Sequence, residues 1–320
     1  MLVTTKPVGT IKVAPEDFVV RELKHGEPLK PVTETRMAGK PYPYTEFHLT
    51  KRGVPDERAL EHVARELQVR FDQVSAHGRK DKQAVTTQSI VVAGSYTPSF
   101  YHPAMQLAYQ GEAFGPARLG AHGGNYFSIL VRTEASRVPE GRRFLNLYGP
   151  QRFGRGDIRI GEYLLVGNTK AALGAICADE PERNKLKEVQ RRCGYLSAEE
   201  TLYSREYGFK RRFFVQKWQS HLWNLAAPFT SLDYLPVWSE DAADLYNNWW
   251  NPKRLDTEVV AEADRSSRPV LAEAMKHRII DTELGFRHEF QLRSGAYATV
   301  FLASMYELMD QSTAYRTAGQ

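Results

Sequence analysis

The segment GRKDKQAVTTQ, residues 78–88, contains a single carboxylate among cations. Asp81 follows Arg79 and Lys80 and precedes Lys82, so the neighbouring positive charges favour the charged form of its side chain. A charged aspartate can act as a nucleophile or as a base, and the three cations could hold phosphate groups. A solvated surface turn with weak ion pairs would contain the same residue types. The segment alone leaves both interpretations open.

A second segment, NLYGPQRFG at residues 146–154, places a cation beside two aromatic residues and two glycines. Arg152 could contact a phosphate group, and the ring of Tyr148 could stack on a base. Burial of Tyr148 and Phe153 at the end of a strand explains the same residues equally well. No Lys-Ser/Thr pair follows Gly154, so the glycines do not form a P-loop. The segment is compatible with RNA binding and argues against a P-loop nucleotide hydrolase.

Basic and aromatic residues also alternate in FKRRFFVQKWQSHLW at residues 209–223. This mixture suits single-stranded RNA, and an amphipathic helix that buries its aromatic rings has the same composition. Lys12, shortly before a Pro-Glu-Asp-Phe segment, is expected from its residue type to face solvent. The histidines show no HExxH-like spacing, and Cys177 and Cys193 lack the partners of a zinc site. We therefore predict neither a metal site nor a disulfide.

The composition is that of an ordinary globular protein, with 42% apolar and 25% charged residues in 320. The net charge is +5, and residues 1–154 contain 21 Lys and Arg against 15 Asp and Glu. No run of 18 or more apolar residues occurs, which predicts that no segment spans a bilayer. The first residues lack the apolar stretch of a signal peptide. Together with the low cysteine content, this predicts a cytoplasmic protein.

The elements that must position these residues differ along the chain. Residues 1–154 predict a strand-rich structure: two strands around a turn at Pro15, a loop from Lys24 to Pro43, a strand at 44–53, a helix after Pro55, and strands on either side of the Asp81 loop. The segment that contains Asp81 is thereby predicted to be a loop held by a sheet.

The helical content rises in the middle of the sequence. Helical patterns dominate residues 155–279, whereas residues 286–309 predict a strand, a glycine turn and a helix from about Tyr297. The first and last parts resemble each other more than either resembles the middle. We therefore predict a catalytic core split into residues 1–154 and 280–320, with an inserted, mostly helical domain at 155–279.

Taken in order along the chain, these segments resemble the signatures of the TruD family of pseudouridine synthases. The first signature, a Lys before Pro-Glu-Asp-Phe and hydrophobic-x-Glu, is matched by Lys12, Pro15-Glu16-Asp17-Phe18 and Val20-Arg21-Glu22. The second, Gly-x-Lys-Asp-x-x-Ala-x-Thr-x-Gln, is matched by Gly78, Lys80, Asp81, Ala84, Thr86 and Gln88. The third, Asn-Tyr-Phe-Gly-x-Gln-Arg-Phe-Gly, is matched by Asn146, Gly149, Gln151, Arg152, Phe153 and Gly154. The fourth, Gly-x-Tyr-Ala-Thr, is matched by Gly295, Tyr297, Ala298 and Thr299.

The resemblance covers roughly residues 8–154 and 284–309. It implies an α+β fold: a pseudouridine-synthase core with a mixed, largely antiparallel sheet and flanking helices, interrupted by a mostly helical, family-specific insertion. It implies an isomerase that converts a uridine of a tRNA to pseudouridine, with uridine 13 as the target by family analogy. It further implies tRNA as the partner, no cofactor, no metal and no membrane, and it is compatible with a monomer.

The resemblance also implies roles for individual residues. Asp81 aligns with the essential aspartate of the family, which acts on a flipped nucleotide as a nucleophile or in an elimination through a glycal. Lys12 aligns with the basic residue of the pocket, and Tyr148 with the aromatic residue that stacks on the target base. The remaining substrate-binding residues would be Arg79, Lys80, Lys82, Asn146, Gln151 and Arg152.

Two other functions are compatible with parts of the sequence. A non-catalytic RNA-binding or tRNA-folding protein on the same scaffold would bind RNA without changing it, but it has no use for the Asp81 carboxylate. An RNA-modifying enzyme of another reaction class would need a donor or redox cofactor, and the sequence contains no GxGxxG segment to bind one.

Overall fold

The computed structural model describes residues 6–29, 43–96, 100–118, 123–138, 140–154 and 156–312. In these ranges the strands are β1 Val8–Ile11, β2 Phe18–Lys24, β3 Glu27–Pro28, β4 Tyr44–Arg52, β5 Val74–Ala76, β6 Val85–Ala93, β7 Phe100–His102, β8 Met105–Ala113, β9 Asn125–Arg132, β10 Arg143–Leu145, β11 Tyr234–Pro236, β12 Ser267–Pro269, β13 Leu271–Glu273, β14 Met275–Thr282, β15 Gly285–Leu292 and β16 Glu307–Asp310. The helices are α1 Asp56–Glu66, α2 Asp157–Leu165, α3 Thr169–Ala178, α4 Glu180–Arg192, α5 Ala198–Tyr203, α6 Gly208–Ala226, α7 Thr257–Val260 and α8 Ala298–Met305. No helix in these ranges combines the length and the apolar character needed to cross a membrane.

Two compact units make up the chain. The sheet unit contains the described residues up to Phe144 and from Glu273 onward, and the helical unit contains Leu145–Ala272. The helical unit begins and ends earlier in the chain than the inserted domain predicted from composition, which spans residues 155–279. The assignment of the two units to a catalytic core and a family-specific insertion stays a prediction at this point.

The sheet unit is built on one mixed sheet with the strand order β14-β15-β9-β2-β6-β4-β8-β7. Among the described pairings, β2 with β6 and β1 with β16 are parallel, and the others in this sheet are antiparallel. Together with α1 and α8 this gives a mixed α+β fold.

Strand β4 shows how the sequence determines this sheet. Thr45, Phe47, Leu49 and Lys51 alternate onto a buried face, as expected for the period of two in a strand. The strand pairs with β6 and β8 along nearly its whole length, and α1 covers the apolar residues with Val63 and its neighbours. The loop of residues 77–84 joins β5 to β6 and is therefore held by a well-paired strand at each end.

The helical unit has a separate core that is rich in aromatic side chains. The most deeply buried of these are Tyr207, Phe214, Trp223, Trp238 and Tyr246. Helix α6 lies at the centre of this unit and buries residues on most of its faces. Gly161 of α2 lies so close to α6 that an added Cβ would collide with the Phe214 carbonyl oxygen. The contact explains why a residue without a side chain occupies this position.

The structure bears on three predictions of where strands, helices and loops begin and end. Strand β6 begins at Val85, so the Thr-Thr-Gln run that the sequence places beside a loop is part of a strand. The helix predicted from about Tyr297 ends at Met305, and the prediction that it continues to Leu308 was wrong, because β16 pairs in parallel with β1. A pairing across some 300 residues leaves no local signal. The loop predicted between Lys24 and Pro43 lies mainly outside the described residues.

Candidate active site

The structure brings Lys12 and Asp81 together in the sheet unit. Lys12 is 1% exposed, and its Nζ lies 3.0 Å from Oδ2 of Asp81 and 3.3 Å from Oδ2 of Asp310. The same ammonium group lies 4.4 Å from the centre of the Phe18 ring. The side chain of Asp81 is 40% exposed. The result is a carboxylate that is open to solvent on one side and fixed by a buried cation on the other.

The turn that carries Lys12 is fixed by several contacts. Lys12 has a φ of +59°, in the left-handed region that only glycine adopts readily. Asp17 accepts a hydrogen bond from the backbone N–H of Ala14 and two from the guanidinium of Arg132, all at 3.0 Å. The surrounding structure therefore holds a backbone conformation that is unfavourable by roughly 1–2 kcal/mol. The prediction that Lys12 faces solvent was wrong, because the carboxylates of Asp81 and Asp310 meet its ammonium group in a buried position.

Lys51 binds the backbone of the loop that contains Asp81. Its fully buried Nζ donates hydrogen bonds to the carbonyl oxygens of Val54 at 2.9 Å, Asp81 at 2.8 Å and Lys80 at 3.4 Å. The nearest carboxylate is that of Asp56, at 3.8 Å. Burial lowers the pKa of Lys51, and the negative charges of Asp56 and Asp81 oppose this shift. Burial also raises the pKa of Asp56, opposed by Lys51. The ammonium thus fixes the backbone of two consecutive loop residues.

Lys80 has a different environment from the one expected for a phosphate ligand. Its side chain is 6% exposed, and its Nζ lies 2.5 Å from Oε1 of Glu22. The other oxygen of Glu22 accepts a hydrogen bond from the backbone N–H of Ser89 at 2.8 Å. An ammonium group buried in this ion pair does not face an external phosphate. Arg79 and Lys82 are exposed and make no ion pair with the described residues, so they are the cations of this loop that an external anion can reach.

Asn146, predicted to bind substrate, is buried in the helical unit. Its side-chain amide donates to the carbonyl of Pro269 at 3.0 Å and accepts from Nη2 of Arg268 at 2.8 Å. Its backbone N–H donates to Val270 at 2.8 Å, and its carbonyl accepts from Nε of Arg268 at 2.7 Å. All these groups are engaged within the unit, which indicates a structural role for Asn146.

We expect Asn146→Ala to destabilise the helical unit by roughly 2–3 kcal/mol, because it removes the amide oxygen that accepts from Nη2 of Arg268 and the amide group that donates to the Pro269 carbonyl. The measurement is a urea titration followed by tryptophan fluorescence, since all five tryptophans lie in this unit. Asn251→Ala removes an amide from an exposed residue of the same unit and should change the free energy of unfolding by less than about 0.5 kcal/mol. Equal stability of the two variants would contradict the structural role of Asn146.

Tyr148 is half-buried and lies among a tryptophan and two arginines. Its ring packs edge-on against Trp223 with the centroids 5.7 Å apart. The guanidinium carbon of Arg268 lies 4.2 Å from the Tyr148 ring centre and that of Arg152 lies 5.8 Å away. The backbone of Tyr148 exchanges two hydrogen bonds with the side chain of Asn224, at 2.8 and 2.9 Å. The ring is therefore held in one orientation.

The remaining residues of the third signature contact α2 and α6. Arg152 is half-buried, and its Nε donates to the hydroxyl of Ser220 at 3.2 Å. The backbone N–H of Gly154 donates to Asp157 at 2.9 Å, and the same carboxylate forms a buried ion pair with Lys217. A Cβ at Gly154 would collide with this carboxylate. Glycine is therefore needed here for close approach.

Residues 209–223 lie in helix α6, as one of the two interpretations expected, but the helix is buried on most of its faces and is not amphipathic. Three of its four cations are engaged in ion pairs within the helical unit: Lys210 with Glu182, Arg211 with Glu262 and Lys217 with Asp157. Its aromatic residues Phe214, Trp218 and Trp223 are buried. Packing explains the composition of this segment, and the single-stranded RNA interpretation is not needed.

The predicted site residues fall into two groups. Lys12, Arg79, Lys80, Asp81 and Lys82 belong to the sheet unit, and Asn146, Tyr148, Gln151 and Arg152 belong to the helical unit.

Sequence reasoning missed Lys51 and Asp310, both of which contact the Lys12–Asp81 group. The strand alternation that buries Phe47 and Leu49 also buries Lys51, which was an available signal. No sequence signal pointed to Asp310, because strand β16 was not predicted.

The arrangement suits chemistry by a single carboxylate. Oδ2 of Asp81 is bound by Lys12, and Oδ1 accepts no hydrogen bond from the described residues. Such an oxygen can attack a carbon atom or remove a proton. In the described part of the chain, no three His, Cys, Asp or Glu side chains are grouped as a metal site would require.

Comparison with known proteins connects this geometry to a family. A family model described as tRNA pseudouridine synthase D (TruD) matches residues 2–205. A Nanoarchaeum equitans protein named probable tRNA pseudouridine synthase D is 34% identical over 164 residues, which are 48% of this chain and 42% of the relative. A Pyrobaculum arsenaticum protein of the same name is 27% identical over 267 residues, 78% of this chain and 64% of the relative. The chain therefore matches less than two thirds of the length of these relatives.

A solved structure gives a likeness along nearly the whole chain. The crystal structure assigned to tRNA pseudouridine synthase D (TruD) from Methanosarcina mazei superposes with a TM-score of 0.56 and covers 94% of each chain. The two sequences are 20% identical, so the likeness concerns the fold. It agrees with a mixed α+β fold that contains a mixed sheet and helices.

Proposed function

Because the chain belongs to the family described as tRNA pseudouridine synthase D (TruD), we propose that it isomerises a uridine of a tRNA to pseudouridine, with Asp81 as the catalytic residue. The observation that carries this proposal is the accessible Asp81 carboxylate held by the buried Lys12 ammonium at 3.0 Å. Uridine 13 is the target that the family resemblance implies.

The reaction itself needs no co-reactant. The bond between N1 of uracil and C1′ of ribose breaks, the base turns, and a bond forms between C5 and C1′. The C5 proton is lost and N1 gains a proton, so substrate and product contain the same atoms. A group that attacks C1′ or removes a sugar proton is sufficient to start this sequence.

Asp81 has the properties that either route requires. Its Oδ1 is the oxygen directed to substrate, while Lys12 fixes Oδ2 and Lys51 fixes the backbone of the same residue. A carboxylate on a loop held at both ends by paired strands keeps its position when the nucleotide binds. Attack at C1′ and elimination through a glycal both remain compatible with this placement.

RNA binding in this proposal uses the accessible cations and Tyr148. Taking a nucleotide out of its stack costs a few kcal/mol, and phosphate contacts of Arg79 and Lys82 help to offset this cost. In the helical unit, stacking of an RNA base on Tyr148 would contribute roughly 1–3 kcal/mol, with Gln151 and Arg152 as further RNA contacts. Lys80 and Asn146 support the structure around these contacts, since their polar groups are engaged in buried interactions.

The two units take the roles expected from the family. The sheet unit is the pseudouridine-synthase core, interrupted by the helical unit as the family-specific insertion between Phe144 and Glu273. tRNA is the partner, and the cytoplasm is the site of action.

The experiment that tests the function is an incubation of the purified chain with unmodified tRNA transcripts, without added cofactor or metal. Pseudouridine is detected as a primer-extension stop after carbodiimide treatment, which also locates the modified uridine. A stop at uridine 13 is the expected result. RNA binding without any stop would favour a non-catalytic RNA-binding protein.

We expect Lys51→Met to lower the single-turnover rate of pseudouridine formation by about 10²-fold. The variant leaves three carbonyl groups without their donor, and a displacement of about 1 Å in a catalytic group can cost this much. Circular dichroism at the assay temperature establishes that the variant is folded. The control is Lys6→Met, which removes an exposed lysine that donates to one carbonyl, that of Ala303. A folded Lys51→Met protein with the wild-type rate would exclude the positioning role.

A further inference from the structure

A polar groove lies on the helical unit beside α4 and the turn that follows it. It has a volume of about 540 Å³ and is lined by Asn184, Lys187, Gln190, Arg191, Tyr195 and Leu196. These residues belong to one helix face and its C-terminal turn, so the groove is complete within the helical unit. None of the signature segments contributes to it.

The groove presents two cations that form no ion pair with the described residues. Lys187 and Arg191 are four residues apart, on the same face of α4, where like charges repel. Neither makes an ion pair with a described residue, and Arg191 donates only to the carbonyl of Lys187, at 3.4 Å. Glu188, the acidic residue between them, is bound by Lys185 at 2.9 Å and approached by Arg192 at 3.9 Å. An external anion would relieve the repulsion.

Tyr195 exposes its ring beside these cations. It is 80% exposed, and no aromatic ring of the described chain stacks on it. Its φ is +64°, directly after Gly194 at +79°, and its N–H donates to the carbonyl of Gln190 at 2.8 Å to close the helix. Asparagine or glycine would form this turn with less strain. Packing and turn geometry therefore do not account for a tyrosine at this position.

We propose that this groove binds an unpaired nucleotide of the RNA substrate, with its base stacked on Tyr195 and its flanking phosphates on Lys187 and Arg191. Cations beside an exposed aromatic ring are the arrangement by which proteins bind single-stranded RNA without sequence preference. Asn184 and Gln190 line the same groove, and Nε2 of Gln190 donates to the carbonyl of Leu196 at 3.1 Å. The inference rests on the proposed function, because it names a second contact for the same RNA.

The test is a fluorescence-anisotropy titration of the full chain with a labelled unmodified tRNA transcript at several salt concentrations. Lys187→Gln/Arg191→Gln should weaken binding about tenfold and reduce the slope of log Kd against log salt by about 1.4, since two single-strand phosphate contacts are lost. Tyr195→Asn, which suits the left-handed backbone but removes the ring, should weaken binding about tenfold. Tyr195→Phe should bind within about twofold of wild type, because stacking needs only the ring.

The matched control is Lys253→Gln/Arg254→Gln, which removes two exposed cations of the same unit that do not line the groove. Unchanged affinity and salt slope in the Lys187/Arg191 variant would overturn the proposal. Wild-type binding by Tyr195→Asn, with polyglutamate displacing the RNA, would overturn it in favour of a general anion surface. The pseudouridine assay separates the two proposals: if wild type forms product while these variants bind normally, only the groove assignment fails.

Discussion

Asp81→Asn is expected to abolish pseudouridine formation, with a loss of at least about 10³-fold in the single-turnover rate. The amide has nearly the shape of the carboxylate and can still accept a hydrogen bond from Lys12, but it can neither attack a carbon atom effectively nor accept a proton. Affinity for the unmodified transcript should stay within about threefold of wild type, since phosphate contacts dominate RNA affinity. Rates come from product at saturating enzyme and affinities from anisotropy.

Asp310→Asn is the control that separates catalysis from charge balance. Asp310 also lies within 4 Å of the Lys12 ammonium, at 3.3 Å, so its loss removes the same negative charge from the same cation. If Asp81 performs the chemistry, Asp310→Asn retains most of the activity. Equal losses in the two variants would mean that Asp81 only neutralises Lys12. Product formed by Asp81→Asn at the wild-type rate would show that the catalytic assignment is wrong.

The sequence predicted the residues of the site better than their environments. The signature segments point to Lys12 and Asp81, and the strand and turn patterns around them correspond to β1, β2, β5 and β6. The direct contact between the two side chains, which are 69 residues apart, follows from the parallel pairing of β2 with β6. Pairing between distant strands has no signature in a local pattern. The contact could therefore not be predicted from either segment.

The burial of lysine side chains is the feature that residue type predicts least well. Lys12, Lys51, Lys80 and Lys217 are all largely or fully buried, whereas a lysine in an unknown fold is expected to be exposed. Each is buried because an acceptor from elsewhere in the chain meets its ammonium group. Only for Lys51 did the alternation of the strand indicate a buried position. The burial of the other three lysines depends on partners that the tertiary structure brings to them.

A distant partner also explains why the structural role of Asn146 could not be predicted from the sequence. It stands in a signature segment beside Tyr148, and its residue type suits contact with a base. Its partner Arg268 is 122 residues away and forms hydrogen bonds with both its backbone and its side chain. A signature residue can therefore stabilise the segment that carries the functional residues without touching substrate.

A chain of hydrogen bonds in the sheet unit links the half-buried His277 to the buried His288 and Tyr306. His277 and His288 are joined at 3.1 Å, and the other ring nitrogen of His288 lies 2.7 Å from the hydroxyl of Tyr306. Burial, together with the neighbouring His277, lowers the pKa of His288 to about 3. Burial and Arg142 lower the pKa of His277, opposed by Glu140. Both rings stack at 5.4 Å between centroids, so a proton on either affects the other.

This chain should make the sheet unit sensitive to acid. In the unfolded state His288 takes up a proton below about pH 6.5, whereas the folded state resists protonation down to about pH 3. The stabilisation is therefore complete above pH 6.5 and is lost as the pH falls toward 3. At pH 4.5 the loss from His288 amounts to roughly 2–3 kcal/mol, because this pH lies about two units below the pKa of the unfolded state.

We expect the free energy of unfolding of wild type to fall by about 2–3 kcal/mol more between pH 7.5 and pH 4.5 than that of His288→Gln, which cannot take up the proton. Urea titrations followed by circular dichroism report both units. Tryptophan fluorescence reports the helical unit, where all five tryptophans lie. His25→Gln, in an exposed turn, should behave as wild type. If the His288→Gln protein lost as much stability in acid as wild type, the histidine chain would not be the source of the acid sensitivity.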